Sequence, residues 1–163
     1  MRRYLLIPHM SKAAAAVVCS MGFALTGCMT VPDAKLYGNH AAASQAFDQK
    51  VAADAINQLV ALYPPANTRF NLTQPTPDAF GTALVTGLRE KGFALMEVKA
   101  GSLIGTAANP AGTDGLELHY LLDRPGAGDL YRLTLAIGNQ RLSRPYLVQN
   151  GTPYAAGAWV RKE

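Results

Sequence analysis

Cys28 is the residue best suited to covalent chemistry, and it ends the stretch LTGC. The chain has two cysteines, and the other, Cys19, lies inside an apolar run. A thiol is the best side-chain nucleophile, so Cys28 is suited to accept a diacylglyceryl group as a thioether. The small residues Thr26 and Gly27 leave the preceding backbone accessible to a peptidase. The residue types therefore indicate lipid attachment at Cys28.

The stretch Leu25–Cys28 resembles the bacterial lipobox, which has an aliphatic residue followed by two small residues before the cysteine. Cleavage between Gly27 and Cys28 would free an amino group for a further acyl chain such as palmitate. Two or more chains anchor a protein stably, because each buried CH₂ contributes roughly 0.8 kcal/mol. A disulfide is disfavoured since Cys19 would leave with the cleaved segment. We expect lipidation of Cys28 and insertion of the lipid in a membrane.

Residues 1–27 are predicted to be a lipoprotein signal peptide. Arg2, Arg3 and Lys12 precede an apolar run of 13 residues, 13–25. A membrane-spanning helix needs about 20 residues, so this run is too short to be one. Met10 would by itself begin a compact signal, so Met1 and Met10 are both candidate starts.

The charge balance excludes a basic nucleic-acid-binding surface. The whole chain has 15 basic and 11 acidic residues, a net charge of +4. Removal of residues 1–27 takes away three basic residues and no acidic one, which leaves 12 against 11, or +1. The excess charge belongs to the exported precursor, and we expect no direct nucleic-acid partner.

Residues 28–43 are predicted to be a lipidated tether to a periplasmic domain at 44–163. The tether lacks clear periodicity, and as a coil its 15 residues after the cysteine would span about 20 Å, or roughly 50 Å when stretched. Met29 follows the cysteine, where aspartate would signal retention in the inner membrane of Gram-negative bacteria. We therefore expect the periplasmic face of the outer membrane.

Two helices are predicted from periodicity. Residues 44–63 form an amphipathic helix that ends before Pro64, with Asp48 among the residues on its polar side. Its apolar stripe is Phe47, Val51, Ala55, Ile56, Leu59 and Val60.

The second helix follows a strand at 68–73. Thr76 is its predicted N-cap, Pro77 its first residue, and Asp78 complements the helix dipole. Gly92 is its C′ residue. A strand at 93–98 completes a β-α-β unit.

The C-terminal half is predicted to be an antiparallel meander. Alternating strands cover 116–122, 131–137 and 141–148, and Asn150-Gly151 signals a hairpin into a strand at 154–160. Residues 99–114 are predicted to form a mobile loop. The fold class is therefore α+β, a small domain with a leading amphipathic helix.

The search for catalytic or metal-binding motifs is negative. The sequence contains no GxSxG, HExxH, CxxC, P-loop or GxGxxG pattern. His40 and His119 lack partners at metal-ligand spacing, so we expect no metal and no cofactor. Asp114 and Glu117 flank the strand that contains His119 and could work as an acid/base pair. A solvated strand edge is the simpler interpretation, and we expect a non-enzyme.

The aromatic residues of the meander are the remaining candidates for binding. Most should be half-buried packing residues, whereas two or three left exposed would mark a protein-binding surface. The residues are Tyr120, Tyr131, Tyr146, Tyr154 and Trp159.

The chain resembles the conjugal transfer protein TrbH family. The resemblance lies in the lipobox at Cys28 and in four stretches: LVALYPPANTRFNL (59–72), FGTALVTGLREKGFALME (80–97), GDLYRLTLAIGNQRLSRPYL and AGAWVRKE. It implies an outer-membrane lipoprotein of a type IV secretion, or mating-pair-formation, apparatus that binds other transfer-channel proteins and performs no catalysis. Of functional residues it carries over only Cys28, with Gly27 before the cleaved bond.

Two other functions stay open at this point. The aromatic strands would suit a lipoprotein that binds a small ligand or peptidoglycan, and convergence of Asp114, Glu117 and His119 would suit a periplasmic hydrolase. In its order of elements, a helix followed by β-α-β and further strands, the chain resembles the small secretin N0-type domain. This likeness is an expectation about the fold and implies nothing about function.

Overall fold

The computed structural model describes residues 36–97 and 115–163, and within them the fold is α+β, as predicted. Two helices pack against one mixed sheet. The helices are α1 (Gln45–Leu62) and α2 (Ala79–Glu90). The strands in these ranges are β1 (Gly38–Asn39), β2 (Arg69–Leu72), β3 (Ala94–Glu97), β4 (Leu116–Asp123), β5 (Leu130–Ile137), β6 (Gln140–Gln149), β7 (Thr152–Ala155) and β8 (Val160–Lys162).

Helix α1 confirms the predicted amphipathic helix. The Ser44 side-chain oxygen accepts a hydrogen bond from the Phe47 N–H at 3.2 Å, which satisfies one of the unpaired donors of the first turn. Five of the six stripe residues are buried, and Val60 packs against them partly exposed. The prediction for Asp48 is wrong, because this residue is only 4% exposed.

Helix α2 begins two residues later than predicted. Asp78, and not Thr76, is the N-cap, and its Oδ1 accepts the Gly81 N–H at 2.9 Å. Pro77 therefore precedes the helix. The helix end agrees with the prediction, since Gly92 has a φ of +87° that favours glycine.

The sheet has the order β3-β2-β4-β5-β6-β7. Strands β2 and β3 are parallel and α2 connects them, which confirms the β-α-β unit. β2 is also parallel to β4, and β4 to β7 form the predicted antiparallel meander. β1 is parallel to the end of β4, and β8 pairs with the start of β6.

Both helices lie on the same face of the sheet. Phe47 of α1 packs on Tyr131 with ring centroids 4.6 Å apart, and Phe80 of α2 packs on Tyr120 at 4.9 Å. Tyr120 lies opposite Leu135, so these side chains share the covered face. We call the other side the open face, since no helix of the described residues covers it.

The last strand differs from the prediction. The chain leaves the sheet between Ala155 and Val160, so the predicted strand at 154–160 is divided into β7 and β8. The break is held to β6, because the Ala156 N–H donates to the Pro145 carbonyl at 2.9 Å and Arg144 Nε donates to the Gly157 carbonyl at 2.9 Å. The hairpin before it is as predicted, with positive φ at Asn150 and Gly151.

Candidate functional site

Several predicted features lie outside the described residues. These are the lipidation site Cys28, the cleavage position Gly27, the residue Asp114 and the loop at 99–114. The geometry of a site can therefore be built only from residues 36–97 and 115–163.

His119 is a packed polar residue of the open face. Its ring stacks on Tyr37 with centroids 4.3 Å apart, and its ring nitrogens lie 3.0 and 3.1 Å from Thr73 Oγ1. Burial lowers the pKa of His119, and the charge of Glu117 opposes this shift. A neutral imidazole that shares a hydrogen bond with a threonine contributes to packing of the N-terminal segment.

The described residues supply no metal site around His119 or elsewhere. No group of three or more histidine, cysteine, aspartate and glutamate side chains within them could hold a metal ion. Glu117 and His119 are two residues apart on β4, while the third member of the predicted acid/base group, Asp114, is not described.

A buried polar cluster joins the first turns of both helices to β4. Asp48 Oδ2 accepts a hydrogen bond from Asn39 Nδ2 at 2.9 Å, and the Tyr120 hydroxyl donates to Asp78 Oδ2 at 2.5 Å. Gln74 Oε1 accepts the Tyr120 N–H at 3.0 Å. Within the described part of the chain, Asp48 Oδ1 and Gln74 Nε2 have no hydrogen-bond partner.

Burial dominates the electrostatics of this cluster. It raises the pKa of Asp48 to about 6, with a smaller contribution from the negative charge of Asp78 and an opposing one from the Asn39 hydrogen bond. The pKa of Tyr120 is also raised, first by burial and then by its hydrogen bond to Asp78. Asp48 is buried and Asp78 is partly buried, and their hydrogen bonds with Asn39 and Tyr120 tie the first turns of the helices to the sheet.

Sequence reasoning did not find this cluster. Its members lie on four different segments, and Asp48 and Tyr120 are 72 positions apart. Only Asp78 carried a local signal, as a carboxylate near a helix start.

A second polar cluster joins the middle of α1 to β6. Arg144 Nη1 lies 2.9 and 3.0 Å from the Asp54 carboxylate oxygens, and the Tyr146 hydroxyl donates to Asp54 Oδ2 at 2.6 Å. The Arg144 guanidinium lies over the Trp159 ring, 5.8 Å from its centroid, which is within the usual range of a cation–π contact. A shallow groove of about 320 Å³ opens beside Asp54 and Tyr146. Because the charges are already paired, this cluster serves to hold α1 on the sheet.

Most of the candidate aromatic residues are not exposed. Tyr120 and Tyr146 are buried, and Tyr131 and Trp159 are partly buried against the core. Tyr154 alone of the five is more than half exposed, at 53%. The meander therefore does not present a purely aromatic patch.

Tyr154 instead belongs to an apolar row on the open face. Leu130 lies opposite Leu147, and Leu147 lies opposite Tyr154, so one large apolar side chain comes from each of β5, β6 and β7. Their exposed fractions are 41%, 39% and 53%. Adjacent exposed apolar side chains mark surfaces that bind other proteins.

Comparisons with known proteins identify a family. Among the described residues, no helix has both the length and the hydropathy that crossing a membrane requires. Neither the curated proteins nor the solved structures give a match, so the likeness to a secretin N0-type domain stays a prediction. The family described as conjugal transfer protein TrbH matches residues 30–163, which include all of the helices and strands above. The chain therefore belongs to the TrbH family of conjugal transfer proteins, which implies a part in a type IV secretion system.

Proposed function

We propose that this protein is a lipoprotein of the mating-pair-formation apparatus, anchored through Cys28 to the periplasmic face of the outer membrane. It acts by binding other transfer-channel proteins and not by catalysis. The observation that carries the proposal is the family match over residues 30–163. The stretch Leu25–Cys28 supports the anchor, and Met29 in place of an aspartate supports the outer membrane.

The anchor would hold the domain close to the lipid surface. Described packing begins with Tyr37, which stacks on His119. Tyr37 lies nine positions after Cys28, and even a fully extended chain of this length reaches only about 30 Å. A channel protein bound to this domain would therefore lie near the membrane.

The side chains support a role in assembly. Both carboxylate clusters hold helices to the sheet, whereas an apolar row faces outward. The aromatic strands suggested binding of peptidoglycan or a small ligand, but four of the five aromatic residues are packed in or against the core. The described residues therefore favour assembly over that alternative.

The decisive experiment compares the two cysteines. In cells that lack the chromosomal or plasmid copy, Cys28→Ser should leave the protein without acyl chains, detached from membranes, and should lower plasmid transfer. Cys19→Ser is the matched control, since it changes a cysteine nine residues away and leaves the lipobox intact. Intact-mass spectrometry, fractionation and mating frequency are the measurements, with protein level checked by immunoblot.

Location and role have separate tests. Met29→Asp should move the protein to the inner membrane in a density gradient, and unchanged distribution would contradict outer-membrane sorting. If cells without the gene transfer plasmid at the wild-type frequency, the role in conjugation is wrong. If Cys28→Ser is unlipidated yet fully active, the anchor is dispensable.

A further inference from the structure

The open face carries a second distinctive row besides Leu130, Leu147 and Tyr154. Arg141 of β6 lies directly opposite Lys162 of β8, on the same side of the sheet as the apolar row. Two like charges in this position destabilise a strand pair. The folded protein therefore contains a repulsion between Arg141 and Lys162 that a carboxylate from another molecule would relieve.

These two cations differ from the other arginines of the meander. Arg124, Arg132, Arg144 and Arg161 form ion pairs with Asp129, Asp123, Asp54 and Glu163. Arg141 and Lys162 have no carboxylate partner within residues 36–97 and 115–163. The positive charge at this end of the open face is thus left available.

The apolar and basic rows lie on the same face of β6. Leu147 and Arg141 are six residues apart on β6, which corresponds to about 20 Å along a strand. Ser143 lies between them, and its neighbour on β8, Val160, is 62% exposed. An extended segment of about seven residues would cover this distance.

We propose that the open face binds an extended segment of a partner protein that places apolar side chains on Leu147 and Tyr154 and a carboxylate between Arg141 and Lys162. This inference rests on the proposed role in assembly and specifies its surface and the chemistry of its partner.

The charges of the open face argue against two other partners, an anionic lipid surface and a second copy of this chain. Asp129, beside Leu130, is paired with Arg124, so the apolar end carries no net positive charge that would attract an anionic lipid surface. A second copy stacked through the same face by a two-fold axis would place the basic row on itself or on the apolar row. A second copy does not neutralise Arg141 and Lys162, and an anionic lipid surface is attracted at that end alone, whereas a segment with apolar side chains and one carboxylate matches both ends of the face.

Site-specific photo-crosslinking in conjugating cells tests the apolar end. A photoreactive residue at position 147 or 154 of the full-length protein should crosslink to another protein, and the linked peptide should contain Asp or Glu within about seven residues of the apolar contact. The same residue at position 62 is the matched control, because Leu62 is 37% exposed against 39% for Leu147 but lies at the end of α1. No crosslink, a crosslink to lipid or to a second copy, or an equal yield at position 62 would overturn the proposal.

Charge reversal tests the basic end. Lys162→Glu creates an opposite-charge pair with Arg141, so the variant should fold at least as stably as the wild type while crosslinking at position 147 falls roughly tenfold. Replacing the acidic residue of the linked peptide by Lys should restore the yield. Lys91→Glu, an exposed lysine at the end of α2, should leave the yield unchanged. An unaltered yield with Lys162→Glu would show that the charge complementarity is wrong.

Failure of this inference is separable from failure of the proposed function. If Leu147→Asp and Lys162→Glu transfer plasmid normally while deletion of the gene abolishes transfer, the docking surface is wrong and the role in conjugation stands. If deletion itself has no effect on mating frequency, the proposed function fails.

Discussion

Asp48 is a carboxylate that the fold keeps away from water. It is 4% exposed, one of its oxygens has a single hydrogen bond from Asn39, and Asp78 adds a second negative charge to the cluster. Its pKa is raised from 3.8 to about 6. In the folded protein the Asp48 carboxyl therefore loses its proton only near pH 6, and its ionisation costs free energy that the unfolded chain does not pay.

Replacing Asp48 by Asn should stabilise the protein at neutral pH and not at acidic pH. Above about pH 6 the Asp48 carboxyl is ionised in both the folded and the unfolded protein, and its burial then destabilises the folded state by the full amount. At about 1.4 kcal/mol per pKa unit, the shift from 3.8 to about 6 corresponds to roughly 3 kcal/mol. As the pH falls from about 6 to about 4, the folded state binds the proton first and the wild type recovers this stability. The substitution also removes the favourable interaction of the carboxylate with the dipole of α1. The net gain in the free energy of unfolding from Asp48→Asn should therefore be about 2 kcal/mol at pH 7.5 and should shrink towards pH 5.

Urea unfolding at several pH values measures this difference. Asp129→Asn is the control, since its side chain is 76% exposed and its replacement should change stability by less than about 0.5 kcal/mol at either pH. A gain from Asp48→Asn that does not depend on pH would show that removal of charge is not its cause.

Sequence reasoning fails at this scale because the relevant partners are distant in the chain. A 3.6-residue period assigns Asp48 to the polar side of α1, and nothing local reveals its hydrogen bond from Asn39 or the nearby charge of Asp78. The Thr76 error has a similar origin. Thr76 and Asp78 are both acceptable caps, and the choice of Asp78 depends on its second hydrogen bond, from Tyr120.

At the scale of elements, two glycines of α2 make different contacts. A Cβ at Gly81 would collide with the Tyr120 hydroxyl and with Thr76, whereas a Cβ at Gly87 would meet only the Ile56 side chain. Gly81→Ala should therefore cost roughly 1–3 kcal/mol, although alanine favours helices, because Tyr120 is held by Asp78. Gly87→Ala should stay within about 1 kcal/mol of the wild type, since the end of Ile56 can turn away. Thermal unfolding of the pair measures the contrast, and equal effects would contradict it.

The attachment of α1 to β6 predicts a non-additive pair of substitutions. Tyr146→Phe removes one donor to Asp54 and should cost about 1 kcal/mol. Asp54→Ala leaves the Tyr146 hydroxyl and Arg144 without their acceptor and should cost about 2–3 kcal/mol.

The double variant separates the pair from its parts. It should lose less than the sum of the single changes, because no buried hydroxyl is left unpaired. Denaturant unfolding of the four proteins gives the coupling energy, and strict additivity would mean that Asp54 and Tyr146 do not act together.

The elements themselves were largely predictable from local patterns. The stripe of α1, the alternation of β4 and β5, and Asn150-Gly151 each determine structure within a few residues. The division between β7 and β8 was not predictable, since it depends on hydrogen bonds from the break to Pro145 and from Arg144. The apolar row of the open face also requires the register of three strands, which alternation alone does not supply.

At the scale of the whole molecule, the described end of the segment predicted as a tether is packed on the domain. The His40 N–H donates to the Leu122 carbonyl at 2.7 Å, Ala41 is 3% exposed, and Tyr37 stacks on His119. β1 has only two residues and no alternating pattern, so its pairing with β4 left no trace in the sequence. Residues 36–43 thus make contacts that a flexible linker would not make.

A protein that begins at residue 44 should consequently be less stable than one that begins at residue 36. It loses the backbone bond to Leu122, the burial of Ala41 and the Asn39 hydrogen bond to Asp48, which together amount to roughly 3 kcal/mol. In the longer protein, Asn39→Ala removes only the hydrogen bond and should raise the pKa of Asp48 further, so the loss of stability in this variant should be larger at pH 7.5 than at about pH 5. Urea unfolding of the two lengths measures the total loss of stability. Urea unfolding of Asn39→Ala in the longer protein measures the part of this loss that is due to the hydrogen bond. Equal unfolding midpoints for the two lengths would mean that residues 36–43 act only as a linker. The segment after Cys28 could then hold the domain up to about 50 Å from the membrane, instead of about 30 Å.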